Sequence, residues 1–384
     1  MNKPTILFLI ETPFTLRDYN RFGIDYFLGQ GYPVQILDCS PMLHPEALSV
    51  ASLIPVCDSH HFIKTKRDFS SCLERIGGAT AIVQLTYGLV SLSLYKRLQK
   101  NKIPVCMYVG SSPFSALPMN LRRKKFSYLC NPKRIANRLF RMAPHRWFGL
   151  HDAELLMVRG GELLGRPQPC GPATNVCYAN SFDHDLLLTW KKSGQKIENK
   201  NIAVFLDQYV PYHRDNAICG VRPIDPESYY NGLNKFFSFL EESTGLQIVI
   251  AGHPRFDYDS IANAFFGRDV VQGKTIELVC ASKLVVLHDS TAVNFAIMMQ
   301  KPLMFVVNSE LYSRDRATMD LMAAQFCKKI YNVDNEPWDI RDAFSIRLDL
   351  YAAYAAKYIR NPEKFDKFSW EIILNELEIN FIHD

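Results

Sequence analysis

The sequence lacks the features of proteins held together by cross-links or metal, and it lacks those of membrane-spanning proteins. Its ten cysteines are scattered singly, without a CxxC pair, which excludes a typical zinc module and argues against a disulfide framework. No apolar run approaches the roughly 20 residues of a membrane span. The apolar start, Thr5 to Ile10, is too short for a signal peptide and leads directly into Glu11. We therefore expect a cytoplasmic protein with free thiols, still able to touch a membrane surface.

Length and composition favour two soluble domains. The chain has 384 residues, of which 48% are hydrophobic and 22% are charged. That length exceeds what one hydrophobic core normally serves. The polar segment 191–201 has no periodicity and predicts a linker between domains 1–190 and 202–384, the second with terminal helices. The net charge of +5 is too small to indicate nucleic-acid binding.

The first domain opens as a strand, a helix and a second strand, but it has no glycine-rich phosphate loop. Where a GxGxxG turn would stand, the sequence reads Glu11-Thr12-Pro13-Phe14. An acidic residue in that turn would repel a phosphate. We therefore do not expect a dinucleotide site there.

Segment 119–148 has no acidic residue, although it contains nine lysines and arginines interleaved with aromatic and aliphatic residues. This pattern is typical of helices that lie on an anionic membrane surface. Nucleic acid would also accept it, but no nucleic-acid-binding module accompanies it. A solvated basic helix that packs by its apolar side is the structural alternative.

The stretch from Gln247 to Asn308 carries the most specific pattern. Apolar strand-length runs end at Gly252 and Leu287, and each is followed by polar residues: His253-Pro254-Arg255 and His288-Asp289-Ser290-Thr291. Short apolar strands alternating with helices predict an α/β fold with a parallel sheet, in which ligands bind beyond the carboxyl ends of the strands.

Both clusters suit a phosphate. Asp289 or Ser290 is a good helix N-cap, and the N–H groups that follow a cap favour anions. The hydroxyls of Ser290 and Thr291 add donors, and His253 can donate a hydrogen bond or a proton near neutral pH. The structural alternative is that these residues only cap a helix and end a strand.

The order Gly252-His253-Pro254-Arg255, then Ser290-Thr291, then Lys301-Pro302 resembles bacterial surface-polysaccharide glycosyltransferases with HP and S-S/T motifs. That group contains sialyltransferases, polysialyltransferases and Kdo transferases. The resemblance implies a GT-B fold, with two Rossmann-like domains facing across a cleft. It implies metal-independent transfer of an acidic sugar from a CMP-activated donor to a surface glycan or a lipid-linked acceptor, without a cofactor.

The resemblance also assigns roles to residues. His253, Ser290 and Thr291 would hold the donor phosphate, and His253 would assist the leaving group. Arg255 would either help to bind the phosphate or only anchor its loop. The acceptor would meet the first domain, where an acid would act as general base. Other residues would contact the nucleotide or line the cleft, although a surface acid is the simpler interpretation of Glu277. The base candidates are Glu11, Asp18 and Asp25, for each of which a solvated surface acid is the structural alternative. Asp207 and Gln208 are cleft candidates because they follow the predicted strand 202–206, although Asp207 could instead cap a turn. The other cleft candidates are Pro254, Glu277, His288 and Asp289.

Three alternatives stay open. A periplasmic-type sugar-binding protein also has two such domains around a cleft, but the missing export signal argues against it. A CDP-polyol phosphotransferase of the teichoic-acid type shares the motifs, although such enzymes usually have an aromatic residue and a Ser-Ser pair where this chain has His288-Asp289-Ser290-Thr291. A nucleotide-sugar 2-epimerase shares the fold. The retaining-enzyme pair of glutamates is missing after the second cluster, where Glu310 stands alone.

Overall fold

The computed structural model describes residues 3–45, 54–110, 132–163, 165–195, 198–213, 222–253, 256–261 and 263–382. The chain forms two compact units. The first unit contains residues 1–111, 123–185 and 360–384, and the second contains residues 112–122 and 186–359. The sequence-based boundary near residue 190 lies close to the observed one, but the last 25 residues belong to the first unit.

The first unit is built on a parallel sheet with the strand order β3-β2-β1-β4-β5-β6-β7. Its central strands are buried on both faces, which explains their nearly continuous apolar sequences. The strands are β1 (Thr5–Ile10), β2 (Val34–Asp38), β3 (His60–Phe62), β4 (Ala79–Gln84), β5 (Val105–Gly110), β6 (Leu155–Arg159) and β7 (Asn175–Ala179). Helices connect them: α1 (Leu16–Arg21), α2 (Ile24–Gly29), α3 (Ser40–Leu43), α4 (Lys66–Arg75), α5 (Leu92–Lys100), α6 (Pro132–Met142) and α7 (Phe182–Lys192).

The C-terminal segment joins the first unit because Trp370 completes its core. The indole is 3% exposed, and its ring lies 5.5–5.8 Å from those of Phe8 and Phe27. Its Nε1–H donates to the backbone oxygen of Arg21 at 2.6 Å. Large aromatic rings such as this one contribute much of the stability of a protein core when they are buried. This packing places the C-terminal helix in the first unit rather than with 202–359.

The second unit has a six-stranded parallel sheet with the order β10-β9-β8-β11-β12-β13. The strands are β8 (Ile202–Leu206), β9 (Gln247–Gly252), β10 (Val270–Gln272), β11 (Leu284–Leu287), β12 (Leu303–Val307) and β13 (Ile330–Asn332). The helices are α8 (Pro226–Thr244), α9 (Thr275–Ala281), α10 (Val293–Met298), α11 (Ser309–Ala324) and α12 (Leu348–Tyr354), and the C-terminal helix of the first unit is α13 (Ser369–Leu377). Within the described parts of the chain, no helix has the length and apolar character needed to cross a bilayer.

Candidate functional site

The sheet of the second unit reverses its winding at β8. The chain adds β9 and β10 on one side of β8 and then β11, β12 and β13 on the other. Ligands of such sheets bind at this switch point, beyond the carboxyl ends of the strands. Leu206 is in register with Ala251 and Leu287, so the three strands end at nearly the same level. The polar residues that follow them therefore lie along one edge, which we call the donor edge: 207–209, 253 and 289–291.

On the β9 side of this edge, a buried hydrogen-bond chain fixes His253. The backbone N–H of His253 donates to the Tyr258 hydroxyl at 2.8 Å, which in turn donates to Asp207 Oδ2 at 2.6 Å. Asp207 is 4% exposed, and its Oδ1 accepts from the backbone N–H of Tyr209. Burial raises the pKa of Asp207 to about 6, against the lowering effect of the Tyr258 hydrogen bond. Asp207 thus positions His253 through Tyr258.

The backbone carbonyl of His253 is also held by a hydrogen bond. Gln272 Nε2 donates to the backbone oxygens of His253 and Phe256 at 2.9 and 2.8 Å. A Cβ at Gly252 would lie only 3.0 Å from the side chains of Gln272 and Tyr258, so a larger residue there would require both side chains to shift. The half-buried His253 ring lies 4.7 Å from the Phe256 ring. Pro254 and Arg255 lie outside the described residues, so their predicted contacts stay predictions.

On the β11 side, Gln208 and Asp289 bind each other across the switch point. Gln208 Nε2 donates to Asp289 Oδ1 at 3.0 Å, and the backbone N–H of Asp289 approaches Gln208 Oε1 at 3.4 Å. Burial raises the pKa of Asp289, and the hydrogen bond from Gln208 opposes that rise. The predicted placement of both residues at the carboxyl edge agrees with the structure.

The turn after Asp289 differs from the expected helix cap. Helix α10 begins at Val293, and its N-cap is Ala292, which makes no side-chain capping bond. Ser290 Oγ instead accepts from the Ala292 N–H at 3.3 Å, in a turn that precedes the helix. Among the described residues, the Ser290 O–H has no acceptor and the exposed Thr291 hydroxyl forms no hydrogen bond. Both hydroxyls can therefore donate to a ligand.

The position of His288 differs from the prediction that it contacts the nucleotide or lines the cleft. It is fully buried, with Nδ1 lying 2.5 Å from the Val306 carbonyl and Nε2 lying 2.7 Å from the Tyr229 hydroxyl. A carbonyl only accepts, so Nδ1 carries the proton and Nε2 accepts from Tyr229. Burial lowers the pKa of His288 to about 4, which keeps the ring neutral. His288 is a core residue that joins β11, β12 and α8.

Glu277 lies in the first turn of α9 and is half-buried. No hydrogen bond joins its carboxylate to another described residue, and its predicted ribose contact stays a prediction. Within the described ranges, no group of three His, Cys, Asp or Glu side chains is arranged around a metal position.

The first unit has its own switch point, between β1 and β4, and Glu11 occupies it. Glu11 Oε1 lies 2.9 Å from His44 Nε2, and Oε2 accepts from the Thr86 N–H at 2.5 Å. Burial alone would raise the pKa of Glu11, but the hydrogen bonds from His44 and Thr86 outweigh it and lower the pKa. A carboxylate with a lowered pKa is a weaker base than the general base that we predicted.

Asp18 and Asp25 have local structural partners. Asp18 forms a capping box with Thr15 at the start of α1: its Oδ2 accepts from the Thr15 hydroxyl at 2.6 Å. Asp25 Oδ1 accepts from the Tyr19 hydroxyl at 2.5 Å. Asp18 is 9% exposed, so its carboxylate serves the helix start rather than an acceptor at the surface.

Sequence reasoning missed Tyr258, Gln272 and His44. Tyr258 lies only five residues after His253, but its role depends on a loop that returns its hydroxyl to the strand end. Gln272 ends a three-residue strand that the sequence does not reveal. His44 follows β2 closely, and a histidine after a predicted strand was a signal that the sequence already contained.

The predicted membrane segment is described only from residue 132 onward, so Arg122, Arg123, Lys124 and Lys125 lie outside the described residues. Helix α6 is anchored by Phe140, whose ring stacks on Tyr87 at 5.0 Å. Its other apolar residues face solvent: Ile135, Leu139 and Met142 are 39%, 62% and 68% exposed. Trp147 is 78% exposed. Among the described residues, the apolar side of this helix is therefore largely exposed.

No protein-family model matches the chain, and no curated protein sequence matches it. Solved structures do resemble it. The wall teichoic acid polymerase TagF is 10% identical, with a TM-score of 0.56, over 100% of this chain and 91% of that chain. The complex of MnaA from S. aureus with UDP is 13% identical, with a TM-score of 0.50, over 98% of this chain and 96% of that chain.

A protein from Listeria monocytogenes described as a UDP-N-acetylglucosamine 2-epimerase is 12% identical, with a TM-score of 0.50, over 100% of this chain and 98% of that chain. At such low identity these likenesses concern the fold. They confirm the predicted α/β class, with two Rossmann-like units of the GT-B type.

Proposed function

We propose that the protein is a glycosyltransferase that binds a nucleotide-activated sugar at the donor edge and transfers the sugar to a glycan or lipid-linked acceptor. The observation that carries this proposal is the pair of hydrogen-bonded groups on the two sides of the switch point, which start from the neighbouring residues Asp207 and Gln208. Tyr258 and Asp207 fix His253 on one side, and Gln208 fixes Asp289 on the other. The strands that carry His253 and Ser290 are separated by one strand, a spacing of about 10 Å. A nucleoside phosphate spans that distance.

The chemistry of transfer requires donors where negative charge develops on the departing phosphate. The hydroxyls of Ser290 and Thr291 and the imidazole of His253 supply them. Because its backbone N–H and carbonyl are both held by hydrogen bonds, the point from which the His253 side chain extends is fixed. A protonated His253 can also transfer its proton to the leaving phosphate.

The donor is proposed to be CMP-linked and to carry an acidic sugar, on the basis of the sequence resemblance. UDP is the nucleotide in the MnaA complex, so it is the main competitor. A CDP-polyol phosphate donor is the alternative substrate, and epimerisation of a nucleotide-sugar is the alternative reaction.

The acceptor hydroxyl needs a base, and the first unit offers Glu11 together with His44. We propose that Glu11 orients His44 rather than accepting the proton itself, because hydrogen bonds lower its pKa. Such a carboxylate–histidine pair is a common arrangement for a general base. His44 is 43% exposed at its side chain, which leaves it accessible to an acceptor.

The exposed face of α6 supports a peripheral membrane role for a protein with a lipid-linked acceptor. Arg138 and Arg141 are exposed beside Leu139 and Met142. Apolar side chains inserted between basic ones match an anionic lipid surface. We propose that this face docks the first unit on such a surface.

Calorimetric titration of CMP, CDP and UDP into the full-length protein tests the donor assignment. We expect one pyrimidine nucleotide to bind, and we expect Ser290→Ala and His253→Ala to weaken it at least tenfold. Arg75→Met, which changes an exposed residue of the first unit, is the control. Equal affinity in the wild type and both site variants would refute the donor site. Turnover of a nucleotide-sugar without any acceptor would identify the epimerase reaction instead.

A further inference from the structure

Two arginines of the first unit, Arg21 and Arg159, have no carboxylate partner among the described residues. Arg159 ends β6, and Arg21 ends α1. Both side chains are half-buried, and the Nε atom of each is buried without a hydrogen-bond acceptor. Cationic groups removed from water are normally paired with an anion. Their positions therefore favour the binding of an anion.

Aromatic rings hold both guanidinium groups in one place. Arg159 Cζ lies 4.7 Å from the ring centroids of both Tyr108 and Phe182, and Arg21 Cζ lies 5.0 Å from that of Phe182. Tyr108 and Phe182 stack on each other at 5.1 Å, and Trp370 stacks on both at 5.7 Å. Contact with rings orients a guanidinium plane and leaves its N–H groups available.

A third polar group of the cluster also lacks a partner. The Tyr108 hydroxyl is buried and forms no hydrogen bond with the described residues. Burial raises the pKa of Tyr108, and the nearby Asp185 carboxylate adds to that rise. The oxygens of Asp185 accept hydrogen bonds from the backbone N–H and the hydroxyl of Ser369. The three unsatisfied groups therefore remain without an anion from the described part of the chain.

The cluster lies at the carboxyl edge of the first sheet, where a ligand is expected. Arg159 and Tyr108 belong to adjacent strands, with Gly110 in register with Arg159. Arg21 closes the helix that follows β1, and Phe182 opens the helix that follows β7. Side chains from four chain segments thus converge on one small region of this edge.

We propose that Arg21 and Arg159 form a subsite for a phosphate or carboxylate group, and that this group belongs to the acceptor. A planar guanidinium matches both anions through two parallel hydrogen bonds, and the Tyr108 hydroxyl supplies a further donor. The anion binding follows from the geometry of the first unit alone. Its assignment to the acceptor rests on the proposed function.

The test is calorimetric titration of the full-length protein, at low ionic strength, with glucose 6-phosphate, glucuronate and glucose. We expect an anionic sugar to bind and neutral glucose not to bind. Preference for glucose 6-phosphate would indicate a phosphorylated acceptor, and preference for glucuronate would indicate an acidic sugar. Arg159→Met and Arg21→Met should each weaken binding about ten- to a hundredfold, as expected for charge-assisted hydrogen bonds.

The controls separate a binding role from a structural one. Arg75→Met removes the same charge from an exposed position of the first unit and should leave the affinity unchanged. Arg159→Lys keeps the charge without the planar fork, so it should retain part of the affinity even if Arg159→Met proves unstable. Equal affinity in the wild type, Arg159→Lys and Arg21→Met, or binding of neither anionic sugar, would overturn the proposal.

The same samples distinguish this proposal from the donor-site proposal. His253→Ala should leave the binding of the anionic sugar unchanged, and Arg159→Met should leave nucleotide affinity unchanged. Nucleotide binding without sugar binding would refute the subsite alone. Sugar binding without nucleotide binding would refute the donor site alone.

Discussion

The two sheets reverse at equivalent points but place different chemistry there. In the first unit, the Glu11 carboxylate joins the ends of β1 and β4 through the Thr86 N–H, with His44 beside it. In the second unit, the side chains of Gln208 and Asp289 join the ends of β8 and β11, and hydroxyls follow at Ser290 and Thr291. The same topology therefore supports an acidic edge in one unit and a donor-rich edge in the other.

The pKa values follow the same division. Hydrogen bonds lower the pKa of Glu11, so the first edge keeps its negative charge. Burial raises the pKa of Asp207 to about 6 and also raises that of Asp289, so the second edge loses negative charge more easily. A phosphate group is repelled less by the second edge. The comparison thus agrees with a donor in the second unit and a base in the first.

The largest expected effect is on turnover, from His253→Ala in the second unit. Loss of one donor to a developing charge typically lowers the rate about 10²–10³-fold. Ser290→Ala should have an effect of similar size. Steady-state kinetics with the nucleotide-sugar identified by calorimetry would measure both, with circular dichroism confirming that the variants are folded.

Glu11→Gln in the first unit is the matched variant for this comparison. It should lower turnover while nucleotide affinity stays unchanged, whereas His253→Ala should lower both. If Glu11→Gln weakens nucleotide binding as much as His253→Ala does, the division of roles between the two edges is wrong.

The second prediction concerns two buried groups of the second unit, Asp207 and His288, whose pKa values are shifted in opposite directions. The pKa of Asp207 is about 6 in the folded protein, whereas its ordinary value is 3.8. The contribution of Asp207 to the free energy of unfolding therefore falls as the pH rises from about 4 to 6. Native His288 has a pKa of about 4 instead of 6.5, so its contribution rises as pH rises from about 4 to 6.5. The two contributions oppose each other in the wild type.

Asp207→Asn should remove the contribution of Asp207 to the pH dependence of stability and leave that of His288. The free energy of unfolding of this variant should then rise between about pH 4 and 6, by up to about 3 kcal/mol more than in the wild type. Urea unfolding at a series of pH values measures it. His288→Gln should show the reverse slope. Parallel pH profiles for the wild type and both variants would contradict the assigned pKa shifts.

The third prediction compares two exposed surfaces of the first unit. Changing Leu139 and Met142 to Asp should release the protein from anionic liposomes, because it removes inserted apolar groups and adds charge of the lipid's sign. Ile54→Asp, at another position of the first unit that is 65% exposed, should not. Sedimentation with liposomes at low and high salt measures both. Binding that survives in the double variant would assign any docking to another surface.

The sequence predicted the central strands because burial on both faces makes them continuous apolar runs. It did not reveal β3, β10 and β13, which lie at sheet edges and have three residues each. Such strands are too short to show a periodic pattern. The positions of His253 and Ser290 were predictable because they follow central strands. Tyr258 was not, because its contact with Asp207 depends on the path of a loop.

The smallest expected effect separates capping from catalysis in the first unit. Asp18 and Thr15 form one capping box, so Asp18→Ala and Thr15→Ala should each lower the free energy of unfolding by about 1 kcal/mol. Because both changes disrupt the same capping box at the start of α1, they should have equally small effects on turnover. Thermal unfolding and steady-state kinetics on the two variants provide the measurement. If Asp18→Ala lowered turnover a hundredfold while Thr15→Ala did not, Asp18 would be the base. Glu11 and His44 would then only stabilise the switch point.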